Sequence, residues 1–175
     1  MSDKWERVGS NKITNMFIGE YTHTADEKNR ISLPAKFRKE LGRKIVVTRG
    51  LDNCLFLYPH KTWTLISKEV QNQGHMQRDT RYTRFLFSGA SEIEIDASGR
   101  ILIPEFLREF AQIKSPVVFT GVHDRIEIWN DKRWANYKKI LDEATARVLA
   151  VMKGLISLRR IQNASTHHHS DLRPL

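Results

Sequence analysis

The chain has 175 residues and a mass of 20.4 kDa, with 40% hydrophobic and 28% charged residues. That balance excludes a disordered chain and fits one ordinary domain or two small ones. A net charge of +9 and a pI near 9.8 point to an anionic partner, and no apolar run reaches the roughly 20 residues a bilayer span requires.

In chain order, residues 1–15 (MSDKWERVGSNKITN) lack the apolar stretch of a signal peptide. They read as an N-terminal extension or tag and leave the cytoplasm as the expected compartment. Beyond them the sequence states one unit twice: DEKNRISLP at 26–34 returns as DASGRILIP at 96–104. Gly19 aligns with Gly89, Asp26 with Asp96, Arg30 with Arg100, Pro34 with Pro104 and Arg38 with Arg108. One extra residue shifts the offset, after which Val46–Val47 aligns with Val117–Val118, Gly50 with Gly121, Tyr58 with Trp129 and Trp63 with Trp134. Two copies predict a pseudo-symmetric pair; a solenoid needs three or more.

Each copy begins with a predicted strand, clearest in EIEID, where Ile93 and Ile95 take one face and Glu92 and Glu94 the other. A tight turn follows, with Asn29 and Gly99 at the same place; both tolerate the left-handed backbone. RISL and RILI are the next strands, stopped by Pro34 and Pro104, which also suit the first turn of a helix. AKFRKEL predicts a short helix with Phe37 and Leu41 on one face and Gly42 at its end. IVVT and VVFT read as buried strands, and CLFLY and RIEIW close the unit. Cys54, the only cysteine, sits in CLFLY as a small buried hydrophobe.

A β–turn–β–α–β–turn–β unit of about 45 residues is too small to bury a good core alone. The copies, at 20–62 and 91–134, are therefore expected to share one core by interleaving strands. HKTWTLISKEVQNQ and QRDTRYTRFLF predict a helical connector over 63–90. After Asp131, an N-cap residue, the apolar spacing of Trp134, Tyr137, Leu141, Ala144, Val148, Val151, Leu155 and Leu158 predicts a helix over 135–158. Its heptad-like seam suits packing on a neighbouring subunit. Residues 159–175 read as a disordered tail, including His167, His168 and His169, where a metal is the lesser reading. The fold class is α+β.

Charge is unequal between the copies. From Lys28 to Arg49 the first carries Lys28, Arg30, Lys36, Arg38, Lys39, Arg43, Lys44 and Arg49 against Glu40 alone. The matching span of the second carries Arg100, Arg108 and Lys114 against Glu105 and Glu109. Lys39, Arg43 and Lys44 read as a solvated helix face. Lys28, Arg30, Lys36 and Arg38 crowd a turn and a helix start, where long donors meet phosphates and an arginine fork can read a guanine edge. Asp26 and Asp96 read as turn-structuring acceptors that also hold the arginine four residues on, alongside Asn29 and Gly99. For Arg100, binding and structure stand equally open.

No Walker loop, dinucleotide glycine fingerprint, nucleophile elbow or His-Glu-x-x-His helix occurs, so neither an enzyme, a cofactor nor a small-molecule substrate is expected. Two other readings stand beside a DNA-binding one. In the first, an assembly protein turns its basic loop to an acidic protein partner. In the second, a metal-dependent nucleic-acid enzyme uses the stripe Glu92, Glu94 and Asp96, although Glu92 and Glu94 alternate along a strand as an exposed face.

MFIGEYTHTADEKNRISLPAKFR, VVTRGLDNCLFLYP, SEIEIDASGRILIPEFLREFA and RIEIWNDKRW resemble the MraZ family of bacteria. The resemblance implies two tandem SpoVT/AbrB-like swapped-hairpin domains packed as a pseudo-dimer, with protomers assembled into rings. It implies a cytoplasmic, nucleoid-associated regulator that binds tandem DNA repeats upstream of its own operon, the division and cell-wall gene cluster. Family DNA contacts centre on the Asp-x-x-x-Arg loop, which matches Asp26–Arg30 and Asp96–Arg100 here. Asn29 replaces the commoner glycine of the first loop.

Overall fold

The computed structural model describes residues 16–72 and 80–167, with backbone alone beyond Met152. Each repeat follows the expected element order. The first holds β1 (Phe17–His23), β2 (Arg30–Ser32), α1 (Ala35–Leu41), β3 (Lys44–Arg49) and β4 (Leu55–Pro59). The second holds β5 (Ser91–Glu94), β6 (Arg100–Leu102), α4 (Glu105–Phe110), β7 (Val117–His123) and β8 (Arg125–Asn130). Between them lie α2 (His60–Asn72) and α3 (Thr80–Ser88).

The repeats exchange strands. The larger sheet is antiparallel with order β1-β7-β8-β4-β3-β5. Thus β1 leaves its own repeat to pair with β7, and β5 crosses back to pair with β3, opposing Lys44 to Glu94. A second, two-stranded sheet joins β2 to β6. The register fixes a pseudo-dyad. Phe56 opposes Glu127 and Ile31 opposes Ile101, and in the repeat alignment each of these residues is the other's equivalent. The axis therefore passes through both pairs.

The common core explains the exchange. Ile31, Leu33, Phe37, Leu41, Ile45, Leu55 and Leu57 of the first repeat pack with Ile101, Ile103, Leu107, Val117, Phe119, Ile126 and Ile128 of the second in one cluster. Burying each such side chain contributes roughly 1.5–3 kcal/mol, a sum neither half reaches alone. Phe37 of α1 meets Phe17 and Tyr21 of β1 edge-on, at centroid distances of 5.7 and 5.1 Å. So β1 is bonded to the second repeat's strand while its rings pack on its own repeat's helix.

Pro34 and Pro104 stand just before α1 and α4, each with φ −52°. Their carbonyls accept the amides of Phe37 and Arg38, and of Leu107 and Arg108. The missing proline N–H costs a helix start nothing. The connectors pack on the first repeat: Thr48 Oγ1 donates to the Leu86 carbonyl at 2.6 Å. Trp63 lies 5.8 Å from the Tyr58 ring and 5.3 Å from that of Phe87.

Both repeats belong to one compact unit ending at Asp131, and a second begins at Lys132. The final helix, α5 (Asp131–His167), differs from the expected 135–158 at both ends. Asp131 is its first residue, and the backbone continues past Leu158 because RRIQNASTH contains neither glycine nor proline to stop it. The backbone is helical through His167; His168 and His169, within the expected tail, lie outside the described residues. Ile140, Leu141, Val148, Leu149, Val151 and Met152 are exposed along α5.

Candidate nucleic-acid interface

The two Asp-x-x-x-Arg turns fold alike and meet beside the pseudo-dyad. In the first, Asp26 Oδ1 accepts the backbone amides of Lys28 and Arg30, both at 2.9 Å. Its Oδ2 accepts Arg30 Nε at 2.8 Å and pairs with a terminal guanidinium nitrogen at 2.7 Å. In the second, Asp96 accepts the amides of Ser98 and Arg100 and the Arg100 Nε, all at 2.9 Å. Each turn closes through backbone bonds, Asn29 to Asp26 and Gly99 to Asp96. Asn29 has φ 58° and Gly99 φ 75°, the left-handed backbone these residue types adopt most readily.

Both carboxyls are held below the usual carboxylate range. For Asp26 the causes are the Arg30 amide and then its guanidinium. For Asp96 the Arg100 amide acts first, opposed by partial desolvation and aided by the guanidinium. With every oxygen engaged in structure, neither carboxylate is arranged as a general base. The arginines are held in turn, their donor forks oriented before any ligand arrives. They also reach across: Arg100 lies 3.6 Å from Asp26 and Arg30 4.0 Å from Asp96.

Around this four-residue square the surroundings differ. Lys28 is exposed at the first turn, next to an equally exposed Glu27. Lys36 and Lys39 are exposed on α1, and among the described residues no acidic side chain lies in ion-pair range of any of these three lysines. At their pseudo-dyad equivalents the second repeat has Ser98, Phe106 and Glu109.

Arg38 has a more specific place. Its Nε donates to the Leu33 carbonyl at 2.8 Å, and its guanidinium covers Gly99 so closely that a Cβ there would overlap it. A first-repeat residue thus seals the second repeat's turn, while the Gly99 carbonyl accepts the Leu33 amide at 3.0 Å. Arg38 as a whole is half-buried.

Three other basic residues of that span face different partners. Lys44 lies 3.3 Å from Glu92, and Arg43 lies 3.5 Å from Glu94, across the β3–β5 pairing. The guanidinium of Arg49 stacks 5.5 Å from the Phe110 ring. The acidic stripe is accordingly occupied. Glu92 meets Lys44 and also His60 at 3.1 Å, Glu94 meets Arg43, and Asp96 closes its turn. Among the described residues no cluster has a metal-holding arrangement. Within the span from Lys28 to Arg49, the strand exchange thus leaves the positive charge without an acidic partner among the described residues on the turn and α1.

The same repeats carry the kinship. A family model, that of the MraZ protein, matches residues 16–85 and again 86–150. The chain belongs to the MraZ family. A transcriptional regulator MraZ from Halothermothrix orenii is 47% identical over 141 residues, covering 80% of this chain and 99% of the relative. Those of Syntrophomonas wolfei and Moorella thermoacetica are 49% and 50% identical, covering 71% and 70% of this chain and 87% and 86% of the relatives. These MraZ relatives are named as regulators of transcription rather than enzymes. The tandem MraZ match coincides with the duplication that builds the pseudo-dyad.

Two features escaped sequence reasoning. Arg38 was expected at phosphates, and nothing local signals that it covers a turn some sixty positions on. Arg125, Glu127 and Trp129 form a cluster beside the dyad: Arg125 pairs with Glu127 at 3.1 Å, and Trp129 Nε1 donates to Glu127 at 3.1 Å. The i, i+2, i+4 spacing on one strand face was the available signal.

Proposed function

We propose that this protein is a sequence-specific DNA-binding transcriptional regulator of the division and cell-wall gene cluster, acting on tandem repeats in its own promoter as a ring-like homo-oligomer. The observation that carries the reading is the pair of pre-oriented arginine forks beside the pseudo-dyad, flanked on one side by Lys28, Lys36 and Lys39 without acidic partners among the described residues. Kinship with relatives named transcriptional regulators supports it.

In this reading the two repeats, 20–62 and 91–134, act as paired SpoVT/AbrB domains. Lys28 and Arg30 carry most of the binding. Arg30 reads a base edge, Lys36 and Arg38 assist at phosphates, and Arg100 completes the site from the other turn. The exposed apolar residues of α5 support contact with a second copy. Each protomer then presents one basic face, so a ring engages spaced repeats with contacts that add through effective concentration. Such a regulator works in the cytoplasm on the nucleoid.

DNase I footprinting of the DNA upstream of the chain's own gene tests this. The expected pattern is protection at regularly spaced repeats, appearing together as protein is added. Uniform protection without preferred sites would overturn the reading and favour an acidic protein partner.

A further inference from the structure

The outward face of the β2–β6 ribbon holds a side chain that charge does not account for. The register opposes Arg30 to Leu102 and Ser32 to Arg100, and directly opposed residues of an antiparallel pair project from the same face. Ile31 and Ile101 take the other face and are buried. Arg30, Ser32, Arg100 and Leu102 therefore share the outward one. Leu102 is 53% exposed there, while its pseudo-dyad equivalent is the hydroxyl of Ser32. Four residues on, in the first turn of α4, Phe106 is 43% exposed where the first repeat has Lys36.

The fold does not require this leucine. The ribbon's core contribution comes from Ile31 and Ile101, and a serine satisfies the equivalent position. An apolar side chain left in water between two arginines is a property of the surface and of what the surface meets.

We infer that Leu102 is a base-reading residue: with the ribbon in the major groove, it packs on the C5 methyl of a thymine beside the base that Arg30 reads. The inference rests on the regulator reading above. The major groove admits a two-stranded ribbon, and the thymine methyl is an apolar group displayed on its floor. The flanking phosphates complement Lys28, Lys36 and the arginines, so one ligand accounts for both the charge and the leucine. Phe106 extends the apolar contact on the same side. Because the first repeat has Ser32 at the equivalent position on that face, the ribbon reads the two halves of its site differently.

The test compares binding to a duplex from upstream of the chain's own gene with the same duplex carrying deoxyuridine for every thymine, which removes only the methyl groups. A scrambled duplex is the control. Wild-type protein is expected to bind the uracil duplex about fourfold more weakly, the value of one buried methyl. Leu102→Ser, checked for an unchanged circular dichroism spectrum, is expected to bind both duplexes alike with its salt dependence unaltered. Equal wild-type binding to thymine and uracil duplexes overturns the inference without any variant, as does a full thymine preference in Leu102→Ser. Wild-type binding that fails to distinguish the native thymine duplex from the scrambled one overturns the regulator reading itself, and this inference with it.

Discussion

Arg100 lies 3.6 Å from Asp26, the carboxylate that opens the other repeat's turn, while holding its own Asp96 at 2.9 Å. With the matching contact from Arg30 to Asp96 at 4.0 Å, two turns seventy positions apart in sequence become one charge-balanced unit. Their arginine forks are fixed relative to each other by the pseudo-dyad rather than by the local sequence alone.

The turns should respond to acid. Asp26 and Asp96 both have their folded values lowered, so the unfolded chain binds more protons in the acid range. Their stabilisation is fully present above the ordinary carboxylate value of 3.8 and is lost as pH falls below it through the lower folded values. Thermal melts across that range should show a decline that Asp26→Asn makes shallower. At neutral pH the melting order should be wild type, then Asp26→Asn, then Asp26→Ala. The asparagine keeps an acceptor for the two backbone amides and loses only the charge that holds Arg30.

Gly99→Ala should destabilise the fold by about 1–3 kcal/mol in urea titrations, since its φ of 75° strains any Cβ and its space is filled by Arg38. Combining it with Arg38→Ala should restore the steric part and leave the backbone part. Asn29→Gly should change stability by less than about 0.5 kcal/mol. Full additivity of the Gly99 and Arg38 changes would contradict the packing described.

Salt dependence should separate the basic residues. Lys28→Ala and Lys36→Ala should each lower the slope of log affinity against log salt by about 1. Arg43→Ala and Lys44→Ala should leave it nearly unchanged, because Glu94 and Glu92 already oppose those charges. Equal effects from all four would mean that the strand-crossing ion pairs do not direct the field.

Glu127→Ala should cost about 2–4 kcal/mol, measured by urea unfolding, with Glu127→Gln costing less. The substitution leaves Arg125 with Asp124 alone, at 3.2 Å, while its Nε already lacks a hydrogen-bond partner and its guanidinium stacks 4.5 Å from the Phe56 ring. It also removes the acceptor of Trp129. A loss under about 0.5 kcal/mol would contradict a structural role for this cluster.

Much of the fold was legible because the duplication spells its own grammar. Asp, Asn or Gly, Arg and Pro at fixed offsets mark strand, turn, strand and helix start, and the element order of both repeats follows from them. The choice of strand partners was not legible. Nothing within PVVFT or SEIE says that β7 takes β1 and that β5 takes β3, since pairing is decided by a core assembled across the whole unit. The charge account shifted for that reason: Arg43, Lys44 and Arg49 are basic in the sequence, but β5, α3 and α4 bring acids or rings to them. The end of α5 was misjudged for a different reason. The apolar spacing stops at Leu158, whereas helix propensity continues.

The central claim is that a single pre-oriented arginine, set in the basic half of a pseudo-dimer, dominates DNA recognition. Fluorescence anisotropy on the native upstream duplex and a scrambled one, across a salt series, tests it with wild type, Arg30→Ala and Arg100→Ala side by side. The account predicts tight, salt-sensitive binding to the native duplex, lost mainly in Arg30→Ala and only in part in Arg100→Ala. Equal losses in the two variants would contradict the asymmetry, and weak binding that does not distinguish the duplexes would contradict the claim altogether.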